Sequence, residues 1–266
     1  MLPFGESFLA WVISTGAAAL GGMLFALIVG RYLKPNYFLA FSLGVLLWVF
    51  TDVIDEAGKI DVEASFSGGL EQATIIALFV VGILSFLYVD RSTFSGAISD
   101  SGGVLVPLLL AVAVGVHGLG EGLAFGAVSA TTPFNSLVIA FGGEAAGAAY
   151  VIHKFLEAMA IGSFYLVVLD LKTTKLSTHL RNIATLTAVF ILPSIAAMAV
   201  GYYVQFNSVY FFSIGTGALL YAIVRLGAPL FSNVPVGRWG SFKMGLWFTA
   251  GFLCVYFAAL FHSYVP

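Results

Sequence analysis

Two histidines and two glutamates are the residues of this chain whose types and spacing could do chemistry. His117 and Glu121 stand four residues apart in VGVHGLGEGLAFG, and His153 and Glu157 repeat that spacing in YVIHKFLEAMAIG. Residues four apart on a helix lie one above the other, so each segment presents one imidazole and one carboxylate on one face. Two such faces opposite each other offer a ligand set that suits Zn²⁺ and accepts Fe²⁺, Mn²⁺ or Cd²⁺. We therefore predict a metal site at these four residues.

A structural interpretation of the same residues needs no metal. Each histidine and glutamate could form an ion pair or a hydrogen bond that joins two helices. Buried carboxylates carry a large desolvation cost, however, and such pairing gives no advantage over apolar packing. Lys154 follows the second histidine directly and could be the buried counter-charge of either glutamate, or its side chain could extend out of the helix bundle. We favour the metal site because the two motifs use two of only four histidines in the chain.

A catalytic interpretation is also open. An intramembrane zinc hydrolase could use the same side chains, with one carboxylate as general base. It would need an open coordination position and a cleft with oxyanion donors, and we find no Ser or Tyr beside the motifs at a suggestive spacing. We therefore expect a protein that is not an enzyme.

The composition indicates what surrounds these motifs. Of the 266 residues, 60% are hydrophobic and only 9% are charged, and the mean hydropathy is +1.03. A water-soluble domain carries about a quarter of its residues as Asp, Glu, Lys and Arg, so this chain belongs in a lipid bilayer. A soluble enzyme, a disordered chain and, with one cysteine, a disulfide-rich module are excluded. The net charge of -2 leaves no basic surface for a nucleic-acid partner.

Eight apolar runs are long enough to cross the membrane as helices, which takes roughly 20 residues each. Their approximate bounds are 7 to 30, 37 to 57, 73 to 90, 103 to 129, 144 to 169, 183 to 205, 208 to 231 and 243 to 264. Glycines that allow close helix contact crowd the fourth run, namely Gly115, Gly118, Gly120, Gly122 and Gly126. The links are too short for a soluble domain. The sequence therefore predicts an all-α integral membrane protein, with one transmembrane domain of eight helices over residues 1-266.

The basic residues predict how the chain is oriented, because Lys and Arg near helix ends stay on the cytoplasmic side. The even-numbered links and both tails hold only Lys59. The odd-numbered links hold Arg31, Lys34, Arg91, Lys172, Lys175, Arg181, Arg238 and Lys243. We therefore expect both termini outside the cytoplasm. If the weakest run, 73 to 90, is not a span, the chain has seven helices and its C-terminal half is reversed.

Three more carboxylates are candidates for an uptake route on the outer side. Asp52 and Glu56 lie toward the outer end of the second helix, and Glu144 opens the fifth helix roughly two to three turns outward of His153. A cation from outside would meet them first, so we predict that they form a funnel that relays it inward. Asp55 and Glu56 are equally well explained as solvated residues at a helix end.

Other polar residues have simpler interpretations. His179 and His262 fall in a loop and at the last helix end, where surface histidines are common. Arg225 lies about one turn from the cytoplasmic end of the seventh helix. Its side chain is expected to extend to the membrane interface or to pair with a neighbouring acid.

The motifs resemble those of the ZIP (Zrt-, Irt-like protein) family of divalent metal transporters. That family has HNxxEG in its fourth helix and HxxxE in its fifth, and HGLGEGLAFG from His117 and HKFLEAMAIG from His153 are similar to them. The segment TDVIDEA, 51 to 57, is similar to the family's LHLLPEA. Asp52 stands where the family often has histidine, and Glu56 stands on its glutamate.

The resemblance implies a bundle of eight helices with inverted three-helix repeats around helices 4 and 5. These repeats would rock against each other and carry Zn²⁺ or a related metal, as substrate, across the cell membrane into the cytoplasm. His117, Glu121 and Glu157 would be ligands of the primary site, with His153 matching a motif ligand as well. The partners implied are metal ions and the lipid bilayer, and small residues on several helices also permit a homodimer.

The chain also departs from the family motifs. Gly118 replaces the asparagine, while Gly120 and Leu156 stand where the motifs have proline. Lys154 stands where members with two metals have a further ligand, so a second metal site would be absent, with a fixed positive charge in its place. A related hypothesis is a degenerate metal-binding relative whose transport is quenched by Lys154.

Overall fold

The chain folds into long helices in every part that the structure describes. The structure is a computed structural model, and it describes residues 2–56, 69–93, 104–131, 141, 144–169, 174–232 and 238–260. Within these ranges there are eight helices and no strand. The helices are α1 Phe4–Val29, α2 Pro35–Glu56, α3 Leu70–Thr93, α4 Leu105–Thr131, α5 Glu144–Val168, α6 Leu176–Tyr203, α7 Ser208–Ser232 and α8 Arg238–Leu260.

Seven of these helices, α1 to α7, are long and apolar enough to cross a membrane. The chain is therefore a multi-pass helical membrane protein, as the composition predicts. The run 73 to 90 lies within α3, which removes the basis for doubting that span. The first turns of α8 carry Arg238 and Lys243, and α8 is not among the seven. The predicted span 243 to 264 also continues past the last described residue, so the eighth crossing stays a prediction.

Most of the predicted bounds agree with the helices to within a few residues. The largest difference is at α6, which begins at Leu176 instead of residue 183. Its first two turns contain Thr178, His179 and Arg181, whose polar side chains interrupt the apolar run from which the span was predicted. These residues were expected in a polar link, and that expectation is wrong.

The helices pack in two groups. In the first, which we term the motif group, α4 lies along α6, and α1 lies along both α5 and α6. In the second group, α2 contacts α7 and α8, and α3 contacts α7. The two groups meet where α4 contacts α7 and where α2 contacts α5. Both His-Glu motifs therefore lie in one group, at its boundary with the other.

The helix contacts also correspond to one another in a regular way. The contact of α1 with α5 has a counterpart in α6 with α4, and the contact of α2 with α5 has one in α7 with α4. The contact of α2 with α8 likewise corresponds to that of α7 with α3. In these correspondences α1 takes the place of α6, α2 that of α7 and α3 that of α8, while α4 and α5 exchange places.

Close approach of α4 to α6 depends on glycine. A Cβ atom at Gly122 would overlap the carbonyl oxygen of Ser194, and one at Gly126 would overlap that of Met198. The two backbones are thus in direct contact, as is common where small residues line a helix interface in a membrane. Most of the glycines that crowd the fourth helix are explained by this contact, whereas Gly120 faces Phe212 of α7.

Candidate metal centre

The two His-Glu motifs face each other across the boundary between α4 and α5. His117 and Glu157 are completely buried, although they lie on different helices. Glu157 Oε1 lies 3.0 Å from Nε2 of His153 and 3.5 Å from Nε2 of His117. Nε2 of His117 lies 3.4 Å from Oε1 of Glu121. The structure therefore brings together all four residues that the sequence predicts as a metal site.

The ligand atoms lie close to the spacing that a single cation needs. One ligand atom each from His117, Glu121 and His153 lies within 4.8 Å of the others. Metal–ligand bonds of about 2.0–2.2 Å in a tetrahedral zinc site place the ligand atoms about 3–4 Å apart. Small side-chain rotations would therefore close the group around one ion. The buried His and Glu residues thus form a group that could bind a metal.

Lys154 joins the two glutamates. Its Nζ atom lies 2.6 Å from Oε2 of Glu121 and 2.7 Å from Oε2 of Glu157. The side chain is almost fully buried, with an exposed fraction of 1%. The expectation that Lys154 is a buried counter-charge is confirmed, and the alternative that it extends out of the bundle is wrong.

The lysine and the histidines contact opposite oxygens of the same carboxylates. Both Oε2 atoms face Lys154, whereas both Oε1 atoms face imidazole nitrogens. A cation on the Oε1 side could therefore bind while the ammonium group stays on the Oε2 side. Two ionised glutamates and one protonated lysine together carry a net charge of minus one, which favours the arrival of a cation.

The hydrogen bonding of His117 leaves its ring nitrogens available to a metal ion. Neither ring nitrogen of His117 has a hydrogen-bond partner among the described residues, although the ring is completely buried. Buried polar atoms in native proteins are nearly always hydrogen-bonded, and exceptions call for a reason such as an ion. The distances of 3.4 and 3.5 Å from Nε2 of His117 to the Oε1 atoms of Glu121 and Glu157 are long for hydrogen bonds. A metal ion between these atoms would bind all three.

Aromatic rings cover the cluster toward the first residues of α1 and α5. The ring of Trp11 stacks on Phe125, Phe141 and Tyr150, with centroid distances of 4.5, 5.9 and 4.8 Å. Phe125 lies one turn beyond Glu121 on α4. In the expected orientation, these rings close the outer side of the cluster.

Two hydrogen bonds fix the aromatic cover. Nε1 of Trp11 donates to Oγ of Ser194 at 3.1 Å, and the hydroxyl groups of Tyr150 and Thr15 are 2.8 Å apart. The sequence analysis missed this cover. Tyr150, one turn before Lys154 on α5, was the available signal, since it is a polar aromatic residue within an apolar run.

Of the three residues of the predicted uptake funnel, Glu144 lies far from the ligand group. Glu144 is exposed in the first turn of α5, about 13 Å along the helix axis from His153. Asp52 is half-buried in α2, and Glu56 is the last residue of that helix, with its side chain outside the described part. Their role in uptake stays a prediction.

The structure also tests the expectations for Arg225 and His179. Nε of Arg225 lies 3.3 Å from Oδ2 of Asp90, so that the arginine pairs with an acid on α3, one of the two expected arrangements.

The expectation that His179 is a surface histidine in a loop is wrong. His179 lies in α6 with an exposed fraction of 2%, because Tyr165 of α5 hydrogen-bonds its Nδ1 at 2.7 Å. Residue 262 lies outside the described part.

Two comparisons with known proteins identify no relative of this chain. A scan of protein-family models gives no match to this chain, and a search of curated protein sequences finds none similar to it.

Proposed function

We propose that this chain is a ZIP-like transporter that carries a divalent metal ion, zinc before iron, manganese or cadmium, across the cell membrane into the cytoplasm. The observation that carries the proposal is the buried group of His117, Glu121 and His153, with Glu157 between the two histidines. Ionisable side chains inside a membrane bundle mark ion pathways because they are costly to keep there. The resemblance to the ZIP motifs supports the same conclusion.

The cluster supports binding of one metal ion rather than two. A divalent ion would bind Oε1 of each glutamate and Nε2 of the histidines, while Lys154 holds the two Oε2 atoms. The ammonium group takes the place of a second cation and keeps both carboxylates aligned when the ion leaves. Release is easier because the lysine lowers the net negative charge that the departing cation must overcome.

The contact correspondence supports inverted repeats. Two helices five places apart run in opposite directions if every helix crosses the membrane once, because five is odd. The correspondence of α1 with α6 and α2 with α7 is the one that an inverted repeat would produce, with α4 and α5 exchanged at its centre. Transporters of this design hold their substrate near the midplane and expose it to alternate sides.

The packing also indicates which helices move together. The motif group of α1, α4, α5 and α6 contains helices of both repeats, as does the second group. We therefore revise the hypothesis that the repeats rock against each other. The motif group would move as one unit against α2, α3, α7 and α8, and would carry the metal ligands with it.

Uptake of radioactive zinc into proteoliposomes tests this proposal. We expect saturable uptake by the wild type and none by Glu121→Ala or Glu157→Ala, because each removes an oxygen ligand. Glu6→Ala is the matched control, since Glu6 is an exposed carboxylate in the first turn of α1. Unlabelled iron and manganese as competitors rank the metals. Normal uptake by both cluster variants, with the chain intact by size-exclusion chromatography, would contradict the site.

A second candidate function follows from the contacts of Lys154. The ammonium group of Lys154 binds both carboxylates and could prevent transport, so that the protein would bind a metal ion without carrying it across the membrane. In that case the wild type binds zinc in equilibrium dialysis but shows no uptake, and Lys154→Met gains uptake. Lys243→Met, at an exposed lysine of α8, is the matched control. Uptake by the wild type favours the first proposal.

A further inference from the structure

A second polar cluster lies at the end of the motif group opposite the aromatic cover. There α1 and α5 end and α6 begins, around a cavity of about 90 Å³. The cavity is lined by Leu27, Arg31, Thr174, Leu176 and His179. A cavity needs about 10–15 Å³ to hold one water molecule, so this one has room for a larger polar group.

The hydrogen-bond chain at His179 leaves one of its ring nitrogens free. The side-chain amide of Asn182 donates to the hydroxyl oxygen of Tyr165 at 3.2 Å. The hydroxyl hydrogen of Tyr165 is then available for Nδ1 of His179, 2.7 Å away. A neutral imidazole whose Nδ1 accepts a hydrogen bond carries its proton on Nε2. In this arrangement the hydroxyl group of Tyr165 both accepts and donates a hydrogen bond, and Nε2 of His179 is a donor.

That donor is buried and has no acceptor. His179 is 98% buried, and its Nε2 atom has no hydrogen-bond partner in the part of the chain that the structure describes. An unpaired buried donor is costly. His179 is one of the residues that line the cavity, so an acceptor that enters the cavity and reaches Nε2 would remove the cost.

The rest of the cavity lining also favours an anion. Arg31 brings a permanent positive charge and a planar set of donors that fits phosphate oxygens. The first N–H groups of a helix lack partners within the helix, and Lys175, the N-cap of α6, makes no side-chain cap. The positive end of α6 therefore adjoins the cavity at Leu176. Among the residues that the structure describes, the five that line the cavity include no acid.

We propose that this cavity binds a phosphate group, supplied by a lipid headgroup or by a soluble phosphate. Arg31 pairs with its charge, Nε2 of His179 donates to one oxygen, and the start of α6 faces another. In the expected orientation the cavity lies on the cytoplasmic side, where basic pockets between helices bind anionic headgroups. The site does not depend on metal transport, although a bound phosphate would tie together the ends of α1, α5 and α6.

Binding of defined lipids tests the site directly. We would titrate the purified protein in neutral detergent with dioleoyl phosphatidylglycerol and measure the first bound lipid by native mass spectrometry, with phosphatidylcholine as the zwitterionic control. In parallel, thermal unfolding in sodium phosphate would be compared with unfolding in sodium chloride of equal ionic strength. Saturable phosphatidylglycerol binding assigns the site to a lipid, and stabilisation by phosphate alone assigns it to a soluble anion.

The variants separate this site from general attraction of charge. We expect Arg31→Gln and His179→Phe each to weaken binding about tenfold or more, since each removes a hydrogen bond to a charged group. Arg31→Lys should keep part of the affinity. Arg31 is exposed, so its variants should fold even if His179→Phe does not. Arg181→Gln, at an exposed arginine of α6 that does not line the cavity, is the matched control.

Two results would overturn the proposal. One is equal weakening by Arg31→Gln and Arg181→Gln, which would mean diffuse attraction to the basic end of the bundle. The other is the absence of saturable binding for both the lipid and phosphate. Neither result depends on zinc uptake, so failure of this site and failure of the transport proposal are distinguishable.

Discussion

The Nζ atom of Lys154 lies 2.7 Å from Oε2 of Glu157, while Oε1 of the same carboxylate faces two histidines. The glutamate thus divides its two oxygens between the lysine and the side on which we propose that a metal ion binds. A structural ion pair alone would not require a completely buried histidine without hydrogen bonds beside it. The division of oxygens is the basis of the first two predictions.

Glu157→Gln should lower zinc affinity by about 100-fold or more, because it removes a ligand, and even loss of an outer-sphere partner costs 10–100-fold in metal sites. Equilibrium dialysis with zinc measures this. Glu6→Gln controls for loss of a remote carboxylate and should bind as the wild type does. Equal affinity of Glu157→Gln and the wild type would remove Glu157 from the site.

Lys154→Met should make the protein less stable and more dependent on metal. Removing one partner of a buried ion pair costs about 3–5 kcal/mol, because here two carboxylates lose their counter-charge. Zinc should restore much of that stability, since it can neutralise the same oxygens. Thermal unfolding with and without zinc measures both effects. A variant as stable as the wild type without metal would show that the lysine is not the counter-charge.

Gly122→Ala should destabilise the contact of α4 with α6. The added Cβ would overlap the carbonyl oxygen of Ser194, and the helices would have to separate. Such overpacking typically costs about 1–3 kcal/mol. Gly245→Ala is the control, because nothing lies within 4 Å of a Cβ built there. Thermal unfolding should separate the two variants, and equal melting temperatures would contradict the close helix contact.

Arg225 and Asp90 should show coupled effects on stability. Their side chains are only 16% and 17% exposed, and the pair joins α7 to α3. A double-mutant cycle with alanine should give a coupling energy of about 0.5–3 kcal/mol. The exchanged pair, Arg225→Asp with Asp90→Arg, should regain part of the lost stability. Additive single effects would mean that the contact contributes nothing.

Much of the fold follows from local patterns in the sequence. Hydropathy predicts the spans because a segment in lipid must satisfy its own backbone, and the i, i+4 spacing predicts that His117 and Glu121 share a face. Hydropathy fails at α6, whose first turns are polar and include His179, because Nδ1 of His179 is hydrogen-bonded to Tyr165 on another helix. A hydropathy pattern does not contain that partner.

The details of the site depend on contacts between distant residues. The sequence left open whether Lys154 is a counter-charge, because only the fold shows that both glutamates come within reach of one ammonium group. Trp11 and Ser194, which help to close the cluster, are 183 residues apart. No spacing rule relates such residues, so the aromatic cover could not be predicted.

In the proposed inverted repeat, the exchange of α4 with α5 makes the residues that follow the two motif histidines equivalent, and these two residues differ. On α5 it is Lys154, and on α4 it is Gly118, where a Cβ would lie 3.0 Å from that of Ser194. A lysine at both places would bring two ammonium groups to two carboxylates and cancel the attraction for a cation. Two glycines would leave both carboxylates without a resident counter-charge. In the proposed transporter, this single difference between the two halves would let the cluster hold a cation without trapping it.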